Sequence, residues 1–313
     1  MRLQPESPLR EHGSAPPAIV NALTIDVEEY FHPNAMDDAV SPETWDGLPH
    51  RVEHNTRRLL SLLDDHGVRA TFFVLGWVAE RWPHLVDEIA ANGHEIACHG
   101  YAHRLVYRQR PEEFRADVMR GKALLEDRLG APVAGFRAAS YSLVKSSLWA
   151  LDILIEQGFR YDSSIFPIHH DLYGIPDFSR FAVTLRRPAG EITEVPASTV
   201  RFLGRNWPVG GGGYFRLLPY AVTRRALRHL NQREGAPAIV YLHPWEIDPD
   251  QPRLPAGVRA RFRQYTNLEA TEPRLRRLLR DFRFGPIRDV LHELGRAGGR
   301  NIAAEAGTIR ADH

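Results

Sequence analysis

The feature that most constrains this chain is a repeated alternation. A short apolar run is followed by a longer stretch with apolar residues at helical spacing, and the pair recurs. The runs "NALTIDVE" (21–28), "RATFFVLG" (69–76), "HEIACH" (94–99), "PVAGFR" (132–137), "FRYDSS" (159–164) and "PAIVYLH" (237–243) read as strands. Between them, "VEHNTRRLLSLLDDHG" (52–67), "AERWPHLVDEIAANG" (79–93), "PEEFRADVMRGKALLEDRLG" (111–130), "SSLWALDILIEQG" (146–158) and "PYAVTRRALRHLNQREG" (219–235) read as helices, several closed by Gly. A less regular stretch, 165–218, holds two further strands near 181–185 and 192–195. Strands alternating with helices predict a parallel sheet in an α/β fold. About seven such strands spread over this length favour a distorted (β/α)7 barrel, closed or nearly so, with an open doubly wound sheet as the alternative.

Composition narrows the class. The 313 residues suffice for a sizeable core, and 40 basic against 39 acidic residues leave a formal charge of +1, so no global field points to nucleic acid. No apolar leader or membrane-length run is present, which predicts a cytoplasmic protein, at most peripheral to the inner membrane. The single cysteine, Cys98, excludes an internal disulfide and reads as a small buried hydrophobe or a thiolate ligand. Residues 1–17, rich in Pro, Ser and charge, read as a flexible lead-in; 18–247 read as the barrel and 248–313 as a helical extension packed on it.

The polar residues that interrupt the apolar runs cluster at their C-terminal ends, where a βα barrel places its chemistry. The first run ends in Asp26, Glu28 and Glu29; the third in His99, with His103 one turn on; the next two in Arg137 and Asp162; the last in His243, followed by Trp245 and Glu246. Taken alone, two histidines four apart on one face of a helical turn either offer two nitrogens to a metal or are two surface histidines. Together with the carboxylates, the arginine and a third histidine, they make a constellation for metal-assisted hydrolysis.

In order along the chain, "TIDVEE" (24–29), "HGYAH" (99–103), "RAASY" (137–141), "YDSS" (161–164) and "YLHPWE" (241–246) resemble the five motifs of the NodB-type polysaccharide deacetylases, carbohydrate esterase family 4. The wording "DVEEYFH", "GGGYFR" and "LHPWE" is similar to the subset from exopolysaccharide gene clusters with exosortase systems, which carries a C-terminal extension. The resemblance implies hydrolysis of an acetamide on an N-acetylated oligo- or polysaccharide. It implies one divalent ion, with zinc expected, held by His99, His103 and an acid. Asp26 would be the base, Arg137 its partner, His243 the general acid across the site, and Asp162 the carboxylate that orients His243. The backbone N–H near Tyr141 would help hold the oxyanion.

The sequence departs from that pattern in two places. Val27 stands where the metal-binding Asp is usual, and Ala139 near a usual Pro. Because residues two apart on a strand share a face, Glu28 is the expected acidic ligand, with Glu29 the alternative. "PVGGGGYFR" (208–216) is either a mobile loop that stacks Tyr214 or Phe215 on a sugar or a plain flexible connection. Trp245 either lines the sugar pocket or packs in the core. The stretch 251–300 holds twelve Arg against five acids, and "EPRLRRLLRDF" (272–282) is amphipathic. It reads as a helix docked on the barrel, with a contact to anionic glycan or membrane as the alternative. Two competing functions remain at this level: a metal-independent, allantoinase-like amidohydrolase, and a non-catalytic glycan-binding barrel.

Overall fold

The computed structural model describes residues 19–296, so the lead-in expected at 1–17 and the end of the extension lie outside the described residues. Seven strands form an unbroken parallel run, in the order β10-β1-β2-β3-β4-β5-β7. They are β1 (Val20–Val27), β2 (Thr71–Val74), β3 (Glu95–Cys98), β4 (Gly135–Phe136), β5 (Tyr161–Asp162), β7 (Gly190–Glu194) and β10 (Ile239–Leu242). An antiparallel strand, β6 (Val183–Arg187), flanks β7. The ring is completed by irregular backbone: the Ser198 amide donates to the Ile239 carbonyl, and the Tyr241 amide to the Gly210 carbonyl at 2.7 Å. The distorted barrel is therefore found, closed by loops rather than by an eighth ladder.

Helices α1 (Val52–Asp65), α4 (Pro111–Leu129) and α5 (Ala150–Glu156) fall where the periodicity placed them. The stretch read as one helix over 79–93 is two, α2 (Gly76–Arg81) and α3 (Pro83–Ala91), because Pro83 cannot continue the first and starts the second. Along β1, Leu23, Ile25 and Val27 face the helical shell, while Ala22, Thr24 and Asp26 alternate to the interior. Cys98 lies in that shell, wholly buried, its thiol pushed up to about 12 by burial. It is a packing residue and not a ligand.

The four glycines read as a flexible or mobile connection are corrected to a tight packing point. Gly211, at φ +136°, pairs with Tyr241, and a Cβ there would lie 1.9 Å from the Tyr241 carbonyl oxygen. The chain then enters helix α6 (Gly212–Leu217), and Phe215 is buried in the core. Phe215 thus cannot stack on a sugar. Gly211→Ala is expected to destabilise the fold by on the order of 1–3 kcal/mol or more. Gly213→Ala, whose Cβ would meet only the end of Arg216 at 4.0 Å, should be near neutral in the same thermal melts.

The hairpin β8 (Thr199–Phe202) and β9 (Arg205–Pro208) was not expected from the sequence. Helix α7 (Tyr220–Gln232) follows, then β10, then α8 (Val258–Tyr265) and α9 (Leu268–Asp281). Leu275, Leu278 and Leu279 of α9 are buried, so the amphipathic tail helix is docked. Strand β11 (Arg283–Gly285) joins β1 in parallel, and α10 (Ile287–Arg296) packs Ile287 and Val290 against Ala22, Phe73 and Ala97 inside the barrel. The Ile287 amide donates to Thr71 Oγ1 and the Arg288 amide to Glu95 Oε2. The segment beyond residue 248 therefore supplies a strand and the floor of the barrel. Among the described residues, no helix is long and apolar enough to cross a membrane.

Candidate metal centre and active site

At the C-terminal mouth of the barrel, Glu28, His99 and His103 bring one ligand atom each to within 4.8 Å of one another. Glu28 Oε2 lies 2.6 Å from His103 Nε2 and 3.7 Å from His99 Nε2. His99 Nδ1 is 2.8 Å from the Arg137 carbonyl, which fixes that nitrogen as the donor and leaves Nε2 to face Glu28. Burial pushes the Glu28 carboxyl up, but His103 and His243 outweigh it and hold it well below its ordinary value. A buried carboxylate facing two imidazole nitrogens suits a divalent ion with nitrogen and oxygen preference.

The two histidines do not share a helical turn. Residues 99–103 form a loop, with Gly100 at φ +74° and His103 at φ +52°. The Asp117 carboxylate of α4 accepts the amides of Tyr101 (2.8 Å) and Ala102 (3.0 Å). Gly121 of α4 lets the helix approach the Gly100 carbonyl, which a Cβ would meet at 2.6 Å. The helix thus sets the curl that brings His103 back over His99. Glu29 points away: its carboxylate accepts the amides of Arg51 and Val52 and caps the start of α1. His103→Ala is expected to abolish stoichiometric metal binding and leave the fold intact. Elemental analysis of the purified variant checks this, and full occupancy would remove His103 from the ligand set.

Asp26 lies beside these groups with one oxygen committed. Arg137 Nη1 donates to Asp26 Oδ1 (2.7 Å) and Thr24 Oγ1 (2.8 Å), Nε to the Ser163 carbonyl, and Nη2 to Ser163 Oγ. The guanidinium is fully buried over the Phe73 ring, so its geometry is fixed on every side. Asp26 Oδ2 is left to face His243 Nε2 at 3.8 Å. His243 is thus next to Asp26 and not across the site, because β10 is the immediate neighbour of β1.

Asp162 does not orient His243. Its carboxyl accepts from Ser164 Oγ and meets Glu194. Burial raises both carboxyls, and facing Asp162 raises Glu194 further. The orienting group is Glu246, whose Oε2 lies 2.9 Å from His243 Nδ1 and accepts the His243 amide at 3.0 Å. Burial pulls the His243 imidazolium down, but Glu28, Glu246 and Asp26 more than offset this, and it is pushed up to about 9. Glu246 is held in turn by the buried Arg216 (2.6 Å), whose remaining N–H groups donate to the carbonyls of Arg263, Gln264 and Thr266. The acid three residues after a strand-ending histidine was visible in "LHPWE"; no local pattern marks Arg216 as its partner.

Trp245 is buried beside the metal centre. Its indole N–H donates to Glu28 Oε1 at 3.1 Å, and its ring stacks on His243. His32, also missed, stacks on His103, and burial holds its imidazolium well below the ordinary value. Tyr141 lies in an aromatic cluster with Tyr241 and Phe166, joined by the half-buried Tyr214. The Tyr141 amide donates to the Ala138 carbonyl at 3.2 Å, so here it is engaged within its own turn and not directed at an oxyanion.

Comparison with known proteins finds similarity along most of the described chain. The sequence profile of the polysaccharide deacetylase family matches residues 36–159, and that of a domain of unknown function, DUF3473, matches 163–292. Residues 36–159 are thus similar to polysaccharide deacetylases and residues 163–292 to DUF3473 domains. It is 30% identical over 156 residues to a peptidoglycan deacetylase-like protein of Gibberella zeae, covering 45% of each chain. It is 32% identical over 98 residues to a peptidoglycan-N-acetylglucosamine deacetylase of Bacillus cereus, covering 31% of this chain and 36% of that one. The chain thus spans less than half the length of these relatives. A crystal structure of a Mycobacterium smegmatis protein assigned as a polysaccharide deacetylase shares the fold, with a TM-score of 0.63, 22% identity, and coverage of 98% of this chain and 99% of that one.

Proposed function

We propose that this protein is a metal-dependent N-deacetylase of an amino-sugar polysaccharide. The observation that carries the reading is the convergence of Glu28, His99 and His103 with two differently held acid–base groups, Asp26 on Arg137 and His243 on Glu246. A divalent ion bound by Glu28, His99 and His103 would polarise the acetamide carbonyl and lower the pKa of water. Asp26 accepts the proton of the attacking water at Oδ2, while Arg137 holds its other oxygen. His243 donates a proton from Nε2 to the departing amine as the carbon–nitrogen bond breaks, giving acetate and a free amino sugar. Glu246 keeps the Nδ1 proton in place and the ring aimed. The relatives act, by name, on peptidoglycan and chitooligosaccharides, which supports an N-acetylated glycan as substrate. The wording "DVEEYFH", "GGGYFR" and "LHPWE" supports an exopolysaccharide as that glycan.

The test is acetate release from N-acetylglucosamine oligomers, before and after chelation and readdition of zinc. Activity lost on chelation and restored by metal supports the reading. Unchanged activity after complete metal removal would favour the metal-independent amidohydrolase, and metal binding without hydrolysis of any N-acetylated glycan would favour the binding barrel.

A further inference from the structure

The hairpin β8–β9 projects an apolar tip that the site does not use. Phe202 is 61% exposed, Leu203 84% and Trp207 53%, among the most exposed large apolar side chains of the described residues. The two-residue turn Leu203-Gly204 has φ +50° and +77°, a turn that favours Asn and Gly. A leucine held in the left-handed region at an apex is a conformational cost with no packing return inside the molecule. In register, Val200 and Phe202 oppose Trp207 and Arg205, so Phe202, Arg205 and Trp207 share one face. Residues on the other face anchor the hairpin: the Asn206 amide donates to the carbonyls of Pro167 and Pro176. The Trp207 indole N–H donates to the Phe202 carbonyl at 3.2 Å, so the ring can enter an apolar phase without an unpaired donor.

The surroundings are cationic. From residue 195 to residue 233 the chain contains seven Arg and no Asp or Glu. Arg201 and Arg205 flank the tip and are exposed, and no ion pair is found for either among the described residues. Helix α7 packs on β8, and its Arg224, Arg225 and Arg228 line a groove of about 400 Å³ with Arg277 and Tyr220. Aromatic and aliphatic side chains at an apex, flanked by Arg201 and Arg205, match the interface of an anionic bilayer. A glycan would use the aromatic faces but has no use for the leucine at the apex.

We propose that the β8–β9 hairpin docks this protein on an anionic lipid surface, with Phe202, Leu203 and Trp207 entering the headgroup–acyl boundary and Arg201 and Arg205 contacting lipid phosphates. The experiment is co-sedimentation of the full chain with phosphatidylglycerol–phosphatidylcholine vesicles and with pure phosphatidylcholine vesicles. Binding to the mixed vesicles is expected to exceed that to the neutral ones, to weaken with salt, and to fall about tenfold or more in the double variant F202S/L203S. The R201E/R205E variant should lose the preference for anionic lipid. Thermal melting should be unchanged in both variants, since neither pair is part of the core. Absence of vesicle binding by the wild-type chain overturns the proposal, as does equal binding by F202S/L203S. Retention on dextran sulfate without vesicle binding would assign the surface to an acidic glycan instead. Tip-dependent self-association without vesicle binding would assign it to a second copy. Both of these outcomes overturn the lipid assignment.

Discussion

Asn in place of Asp26 is expected to leave metal occupancy at the wild-type level and to slow acetate release on the order of a hundredfold or more. The substitution keeps the size of the side chain and an oxygen for Arg137, so the buried guanidinium retains an acceptor beside Thr24 and Ser163. What disappears is the anionic oxygen Oδ2, the one not committed to Arg137 and the one 3.8 Å from His243. Elemental analysis and initial rates on N-acetylated oligosaccharides read the two effects separately. Loss of metal together with activity would make Asp26 part of the metal site. Near-normal turnover would end its assignment as base and move that role to Glu28, the other carboxylate facing His243.

Glu246→Gln should act through His243. Glu28 remains, but the amide cannot carry the Glu246 charge that helps raise the imidazolium, so the His243 pKa falls from its raised position toward the ordinary value. The sign follows directly. A general acid must be protonated, so a lower pKa means that activity is lost at a lower pH as pH rises, and the alkaline limb shifts toward neutrality. The rate at the optimum should fall about tenfold or more, because Nδ1 loses the acceptor that fixes its tautomer. A stability loss should accompany this, since Arg216 is buried and would lose its only carboxylate among the described residues. Breaking a buried pair by removing one partner costs on the order of 3–5 kcal/mol. A variant that is less stable but keeps the wild-type alkaline limb would show that Glu246 is structural only. Since Arg216 also binds the carbonyls of 263, 264 and 266, this chain couples the aim of His243 to the docking of the C-terminal segment.

Local reading reached as far as period and strand ends. Alternation along "LTIDVE" put Asp26 and Glu28 on one face, and the ladder confirms that face as the interior, since Leu23, Ile25 and Val27 occupy the shell. Glu28 faces the histidines and Glu29 the start of α1, because β1 stays extended to Val27 and the next residue still obeys its phase. The histidine pair was found for an incomplete reason. Spacing suggested a helical turn, whereas the chain curls as a loop whose amides are bound by Asp117, a residue on α4.

What the sequence by itself determined about this protein is therefore the α/β alternation, the barrel of seven parallel strands and the set of polar groups at its mouth. Each of these is written in nearest neighbours, where burial and backbone period act over a few residues. The tertiary structure alone decided the pairings. It gave His243 to Glu246 and left Asp162 to Glu194, made Trp245 a buried donor to Glu28, and made Gly211 a close contact with Tyr241. It also brought Arg216 to Glu246 and folded the C-terminal segment into the barrel floor through α10. These partners are dozens to hundreds of residues apart, except for His243 and Glu246, three residues apart, where the sequence reading assigns the orienting role to Asp162. A buried charge takes whichever partner the packed chain delivers to it, and that delivery depends on strand order and helix docking, which no local pattern encodes.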